Sequence, residues 1–297
     1  MRPARSARTV STRSSVAALA VWFVSLLVGA APGIAGAQTV QHGYALMDAG
    51  SALYGQPQPC DDAIPAAVTA EDKSRRGAVG VSFYRDPRFI GRVRVAFADG
   101  GVNDTFSPAV GLRLNQPVVG IATAPTGLGY WLAAGDGGVF SGPGVQFHGS
   151  MGGRHLNEKV VGIAATPSGE GYWLAAADGG VFSFGDAEFL GSLGAKRLSS
   201  PIVGMAASPT GRGYWLAAAD GDVFTFGDAP FHGSRSGLPL NEPVVGIAAT
   251  SSGDGYWLAA ADGGVFAFGR ATMNVSLAAS PRTVPVVAIG SWPRHCP

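Results

Sequence analysis

The sequence predicts an all-β fold, a six-bladed β-propeller of four-stranded blades. Three observations carry this: a strict 42-residue internal repeat, a fixed order of strand and turn signals within each repeat, and two partial repeats at the ends that complete one another. Val118-Val119-Gly120-Ile121 recurs as Val160-Val161-Gly162-Ile163, Ile202-Val203-Gly204-Met205, Val244-Val245-Gly246-Ile247 and Val286-Val287-Ala288-Ile289, always one repeat apart. Gly-Tyr-Trp-Leu keeps the same step, with tryptophans at Trp131, Trp173, Trp215 and Trp257. An Asp-Gly pair follows each time, at Asp136, Asp178, Asp220 and Asp262.

Within the unit 160–201, Val160 to Ala165 forms a short β-type run that the turn residues Pro167-Ser168-Gly169 stop. Tyr172 to Ala176 is a second strand, and Asp178-Gly179 supplies the positive φ angles of a tight hairpin. Val181 to Phe184 returns as a third strand. Gly185-Asp186-Ala187 turns again into a fourth, Phe189-Leu190-Gly191-Ser192. Gly and Ala crowd the first two strands, where blades converge. Trp173, Phe182, Phe184 and Phe189 are expected to fill the wider space outside. A β-solenoid is the alternative, but its coils are shorter and lack this succession of hairpins.

Complete units run 118–159, 160–201, 202–243 and 244–285. A degenerate unit, 78–117, opens with Ala78-Val79-Gly80-Val81 and turns at Asp99-Gly100. Residues 43–77 hold middle strands without a first strand, and 286–297 hold a first strand without the rest. Together they predict a shared blade. Cys60 and Cys296 then fall on one face of that blade, and an even cysteine count in an exported chain predicts a disulfide between them.

Export is predicted by the N-terminus. Arg2, Arg5, Arg8 and Arg13 precede an uncharged apolar run from Val16 to Ala30, and Ala35-Gly36-Ala37 offers a small-residue cleavage site. Residues 1–37 therefore read as a signal peptide and 38–297 as one domain, outside the cell or on its wall. The alternative, a retained anchor, needs a longer apolar run. The whole chain carries +1, and removing the four arginines leaves −3. No basic patch survives, so no nucleic-acid partner is expected, and no membrane contact once the signal is gone.

The chemistry-bearing residues are few. Of the five histidines, His148 and His232 share a repeat position that Leu190 fills in the unit between, which suits packing better than catalysis. The serines after Gly149, Gly191 and Gly233 lack the strand–turn–helix setting of a nucleophile elbow. Each Asp-Gly turn supplies one carboxylate where calcium needs six or more oxygens, and no Cys/His cluster has zinc spacing. No metal, cofactor or catalytic residue is assigned. The links between units do differ, and loops on a rigid scaffold are where binding groups sit. The candidate binding face thus combines Asp136, Asp178, Asp220 and Asp262 with Arg154, His155, Asn157, Arg197, Asn241 and Glu242.

The run Gly171-Tyr172-Trp173-Leu174-Ala175-Ala176-Ala177-Asp178-Gly179-Gly180-Val181-Phe182-Ser183-Phe184-Gly185-Asp186-Ala187 resembles the repeat of a large group of secreted actinobacterial proteins. The resemblance implies a propeller-like array and export, and it carries no ligand or catalytic motif. The leading expectation is a non-catalytic binding or scaffolding module for a cell-envelope glycan or envelope protein. The alternatives are a polysaccharide hydrolase or lyase using the turn aspartates, and a purely structural wall component.

Overall fold

Each repeat forms one antiparallel sheet, and the sheets follow one another along the chain. The computed structural model describes residues 44–48, 53–55, 78–86, 89–97, 99, 102, 113–273, 276 and 285–291. The expected signal segment, residues 56–76 and both cysteines lie outside the described residues. The first strands are β1 (Tyr44–Asp48) and β2 (Leu53–Gly55), then the hairpin β3 (Ala78–Asp86) and β4 (Phe89–Phe97). Three-stranded sheets follow: β5 (Val118–Thr123), β6 (Tyr130–Ala134) and β7 (Val139–Ser141); β8 (Val160–Ala165), β9 (Gly171–Ala176) and β10 (Val181–Gly185). Next come β11 (Ile202–Ala207), β12 (Gly213–Ala218) and β13 (Val223–Gly227), then β14 (Val244–Ala249), β15 (Gly255–Ala260) and β16 (Val265–Gly269). The last strand, β17 (Val286–Ser291), pairs with β1, Leu46 opposite Ile289, and β1 pairs with β2. This is a propeller-type arrangement of repeated all-β sheets.

The middle strands are the core. Tyr172, Trp173, Leu174 and Ala175 of β9 are fully buried, as are their equivalents in β6, β12 and β15. Both faces of these strands pack on neighbouring sheets, so apolar residues run continuously instead of alternating. The cores are inter-sheet: Trp173 of one unit and Tyr214 of the next belong to one cluster, and Trp215 and Tyr256 to another.

First strands pack side by side: β3 beside β5, β5 beside β8, and so on to β14 beside β17, and β17 beside β3. Approach is closest at glycine. A Cβ on Gly204 would lie 3.3 Å from the Gly246 Cα of the neighbouring first strand. A β-bulge recurs in these strands, because the register shifts between Val160 and Gly162, Ile202 and Gly204, and Val244 and Gly246. The extra residue of such a bulge is left unpaired. Adjacent units are also stitched by backbone bonds: Ile202 N–H donates to Ala177 O, and Val244 N–H to Ala219 O, each at 2.9 Å.

Two expectations need correction. The fourth segment is not a strand in the units 118–159, 160–201 and 202–243, and the described sheets have three strands at most. Its polar backbone groups go to side chains instead. Trp173 Nε1 donates to Glu188 O at 2.7 Å, and the hydroxyl of Tyr214, from the next unit, accepts from Leu190 N–H and donates to Gly191 O. Gly191 also has φ +125, off the strand region. The segment therefore lies across the seam between two sheets and does not extend one. Second, Phe189 does not fill that seam, since it projects outward and is 58% exposed.

Candidate functional site

Backbone bonding brings the links and the Asp-Gly turns to one end of the sheets. Gly179 sits at φ +81, and its carbonyl accepts from Leu193 N–H at 2.8 Å, so the link starts on its own unit's turn. Met151 N–H and Arg235 N–H make the same bond to Gly137 and Gly221. The aspartates build these turns: Oδ1 of Asp136, Asp178 and Asp262 accepts from the N–H of Gly138, Gly180 and Gly264 at 2.8–3.0 Å, and that of Asp220 from Asp222. One oxygen of each carboxylate is thereby committed to the turn.

At the boundary between units 118–159 and 160–201 the link and the next turn enclose a cleft of about 280 Å³. His155, Asn157 and Glu158 form one wall, and Asp178, Phe182, Phe189 and Ser192 the other. Gly180 and Gly194 leave it room; a Cβ on Gly194 would stand 3.2 Å from Gly180 Cα. The expected residues His155, Asn157 and Asp178 are thus brought together. Arg154 is exposed on the same link and is not in the cleft wall.

The equivalent boundaries are furnished differently. Between 160–201 and 202–243, Ser199 Oγ donates to Asp220 Oδ2 at 2.8 Å, and Asp222 and Ser236 replace the two glycines. Between 202–243 and 244–285, the Arg235 guanidinium lies 4.5 Å over the Phe266 ring and Nη2 donates to Pro239 O at 3.0 Å. Arg197, Asn241 and Glu242 are exposed on these two links. Of the candidate residues, His155, Asn157 and Asp178 thus share one polar and aromatic cleft, while Asp220 is held by Ser199 at the next boundary and Phe266 is covered by Arg235 at the one after.

A second space, a channel of about 480 Å³, runs along the first strands. The bulged residues Val79, Val119, Val161, Val203, Val245 and Val287 all line it. Among the described residues its lining holds no titratable side chain, and the four turn aspartates are not among them. Among the described residues no group of three or more His, Cys, Asp or Glu could hold a metal ion, and no helix is long and apolar enough to cross a membrane.

His148 and His232 lie against aromatic rings, 6.2 Å from Trp131 and 6.5 Å from Trp215 between ring centroids. His232 Nε2 also bonds Gly253 O at 3.1 Å. Sequence reasoning missed Phe182, Phe189, Glu158 and Ser192 as cleft residues. The signal that could have found Phe189 is that its register stays apolar in every complete unit, Phe147, Phe231 and Met273 being the others.

The chain is similar in structure to the β-propeller domain of Cps50 (Swd1) from Myceliophteria thermophila. Sequence identity is 14%, the TM-score 0.46, and the match covers 69% of this chain and 74% of that one. No family model matches the sequence, and no curated protein does.

Proposed function

We propose that this chain is an exported, non-catalytic binding or scaffolding propeller of six blades, closed by its two ends, that holds a glycan of the cell envelope. The observation that carries the ligand class is the cleft at His155, Asn157, Asp178 and Phe189. It sets an aromatic face beside an amide, a carboxylate and a hydroxyl, the mixture of apolar platform and few directed polar groups that small polar ligands require. Its size suits one sugar-sized group. The six-bladed reading is supported by the succession of first-strand neighbours, which returns from β17 to β3, and by the pairing of β17 with β1. Six bulged valines facing one channel favour the same reading.

Export rests on the signal-like N-terminus and the actinobacterial resemblance. A second reading, a polysaccharide hydrolase, draws on Glu158 and Asp178 sharing the cleft, since glycoside hydrolysis uses paired carboxylates. Incubating the secreted protein with isolated cell wall and a polysaccharide panel separates the readings. Saturable retention on a glycan without released reducing ends supports the binding module. Release of sugar that Asp178→Asn abolishes supports the hydrolase. Retention that survives removal of the glycan but not of envelope protein assigns a protein ligand, and retention without saturable binding to either points to a structural wall component.

A further inference from the structure

Phe147, Phe189, Phe231 and Met273 stand one repeat apart, and each is mostly exposed, at 58%, 58%, 61% and 61%. Packing does not account for an apolar side chain held at one register and left in water. The position before is occupied by Gln146, Glu188, Pro230 and Thr272, because Trp Nε1 uses only its carbonyl there. The position after holds His148, Leu190, His232 and Asn274. The register between them stays apolar although its neighbours change chemistry freely.

We infer that Phe147, Phe189, Phe231 and Met273 are successive stacking platforms for one extended polysaccharide, with the cleft beside Phe189 as its anchoring subsite. This rests on the glycan reading proposed above. Phe189 belongs to both features: it lines the cleft together with Asn157, Asp178 and Ser192, whose side chains carry hydrogen-bonding groups. The negative face of the three Phe rings attracts the C–H face of a sugar, and Met273 offers it an apolar contact only, while hydroxyls take the polar groups. A repeating polymer presents that same face again to the next platform. A protein partner calls for a contiguous apolar patch, whereas these side chains are set apart, one to each repeat.

The test measures affinity of the secreted protein for intact peptidoglycan sacculi and for a ladder of glycan strands released from them, one to eight disaccharides long. Affinity is expected to climb with strand length, because each added platform is engaged at high effective concentration. The triple variant Phe147→Ala/Phe231→Ala/Met273→Ala flattens that dependence and weakens retention on sacculi by about 100-fold or more, the scale of avidity that linked sites supply. Leu128→Ala, which removes a side chain 60% exposed but outside the register, leaves both unchanged. Thermal unfolding checks that the variants stay folded. A triple variant that matches wild type on sacculi, while Phe189→Ala loses binding, overturns the platform array and keeps the single-cleft module. Wild-type protein that binds neither sacculi nor strands overturns the glycan reading and the array with it.

Discussion

The Tyr214 hydroxyl donates to Gly191 O at 2.5 Å, and so ties one repeat to a segment of the repeat before it. The same oxygen accepts from Leu190 N–H at 3.3 Å. Tyr172 with His148 and Gly149, and Tyr256 with His232 and Gly233, repeat this clasp. Because the ring is fully buried between sheets, water cannot readily replace the hydroxyl. Tyr214→Phe keeps the ring and strands both backbone groups, so it should cost roughly 1–3 kcal/mol. Urea unfolding checks this: the midpoint falls and the slope stays that of the wild type.

The clasp also has an alkaline limit. Burial pushes the phenols of Tyr172, Tyr214 and Tyr256 above their ordinary value, with backbone hydrogen bonds opposing only in part. A phenol whose pKa is higher folded than unfolded binds more protons in the native state as pH rises past about 10. Stability is then fully present below pH 10 and is lost progressively as pH climbs through the folded-state values. Absorbance titration of the folded protein should show a tyrosine fraction ionising late. Unfolding free energy should fall across that window and be flat from pH 8 to 9. Replacing all three tyrosines by Phe should remove much of the fall.

At the other end of the sheets an ion pair is written in both directions. Arg212 Nε lies 3.7 Å from Asp228 Oδ2, and one repeat on, Asp254 Oδ2 lies 3.6 Å from Arg270 Nε. The carboxylate also serves the turn after the first strand in either orientation. Asp228 accepts from Ser208 at 3.0 Å and Thr210 at 2.7 Å, while Asp254 accepts from Thr250 at 2.9 Å and from Ser252. Asp228→Arg alone should therefore cost about 1 kcal/mol or more in lost hydroxyl partners. Arg212→Asp/Asp228→Arg should recover most of it, since the next repeat already folds that way. The charge pair itself is exposed and worth at most about 1 kcal/mol. Thermal melts of the single and double variants in low and high salt separate the two contributions.

The repeat made most of the strand order legible, because the Asp-Gly turns, the Pro- and Ser-containing turns and the buried Gly-Tyr-Trp-Leu runs are local signals. Phe189-Leu190-Gly191-Ser192 read as a fourth strand for the same local reason. What removes it from the sheet is Tyr214, a residue of the next repeat, and a single-unit pattern cannot show that a side chain there takes the amide and carbonyl. The cleft was legible in part. Link variability pointed to His155 and Asn157 and turn position to Asp178, whereas Phe189 looked like packing because apolarity alone does not say which way a side chain faces. The asymmetry among boundaries rests on single contacts, Ser199 with Asp220 and Arg235 on Phe266, which no periodicity contains.

The proposed closure makes a covalent prediction. Strands β17 and β2 are both antiparallel to β1, so they run parallel to each other and leave their sheet at the same end. Cys60 comes five residues after β2 ends at Gly55, and Cys296 five residues after β17 ends at Ser291. Two strands flanking a third stand about 10 Å apart, and five residues can span up to roughly 17 Å, so the thiols can meet. Non-reducing mass spectrometry of the secreted protein should find a linked Cys60–Cys296 peptide; two free thiols would refute the bond. A bond enclosing nearly the whole domain should stabilise it by at most about 5 kcal/mol. Cys60→Ser and Cys296→Ser should lower the melting temperature equally, and the double variant by no more than either, because all three remove the same cross-link. A double variant markedly worse than both singles would mean that the cysteines act separately, and the ends would then be held by the β17–β1 pairing alone.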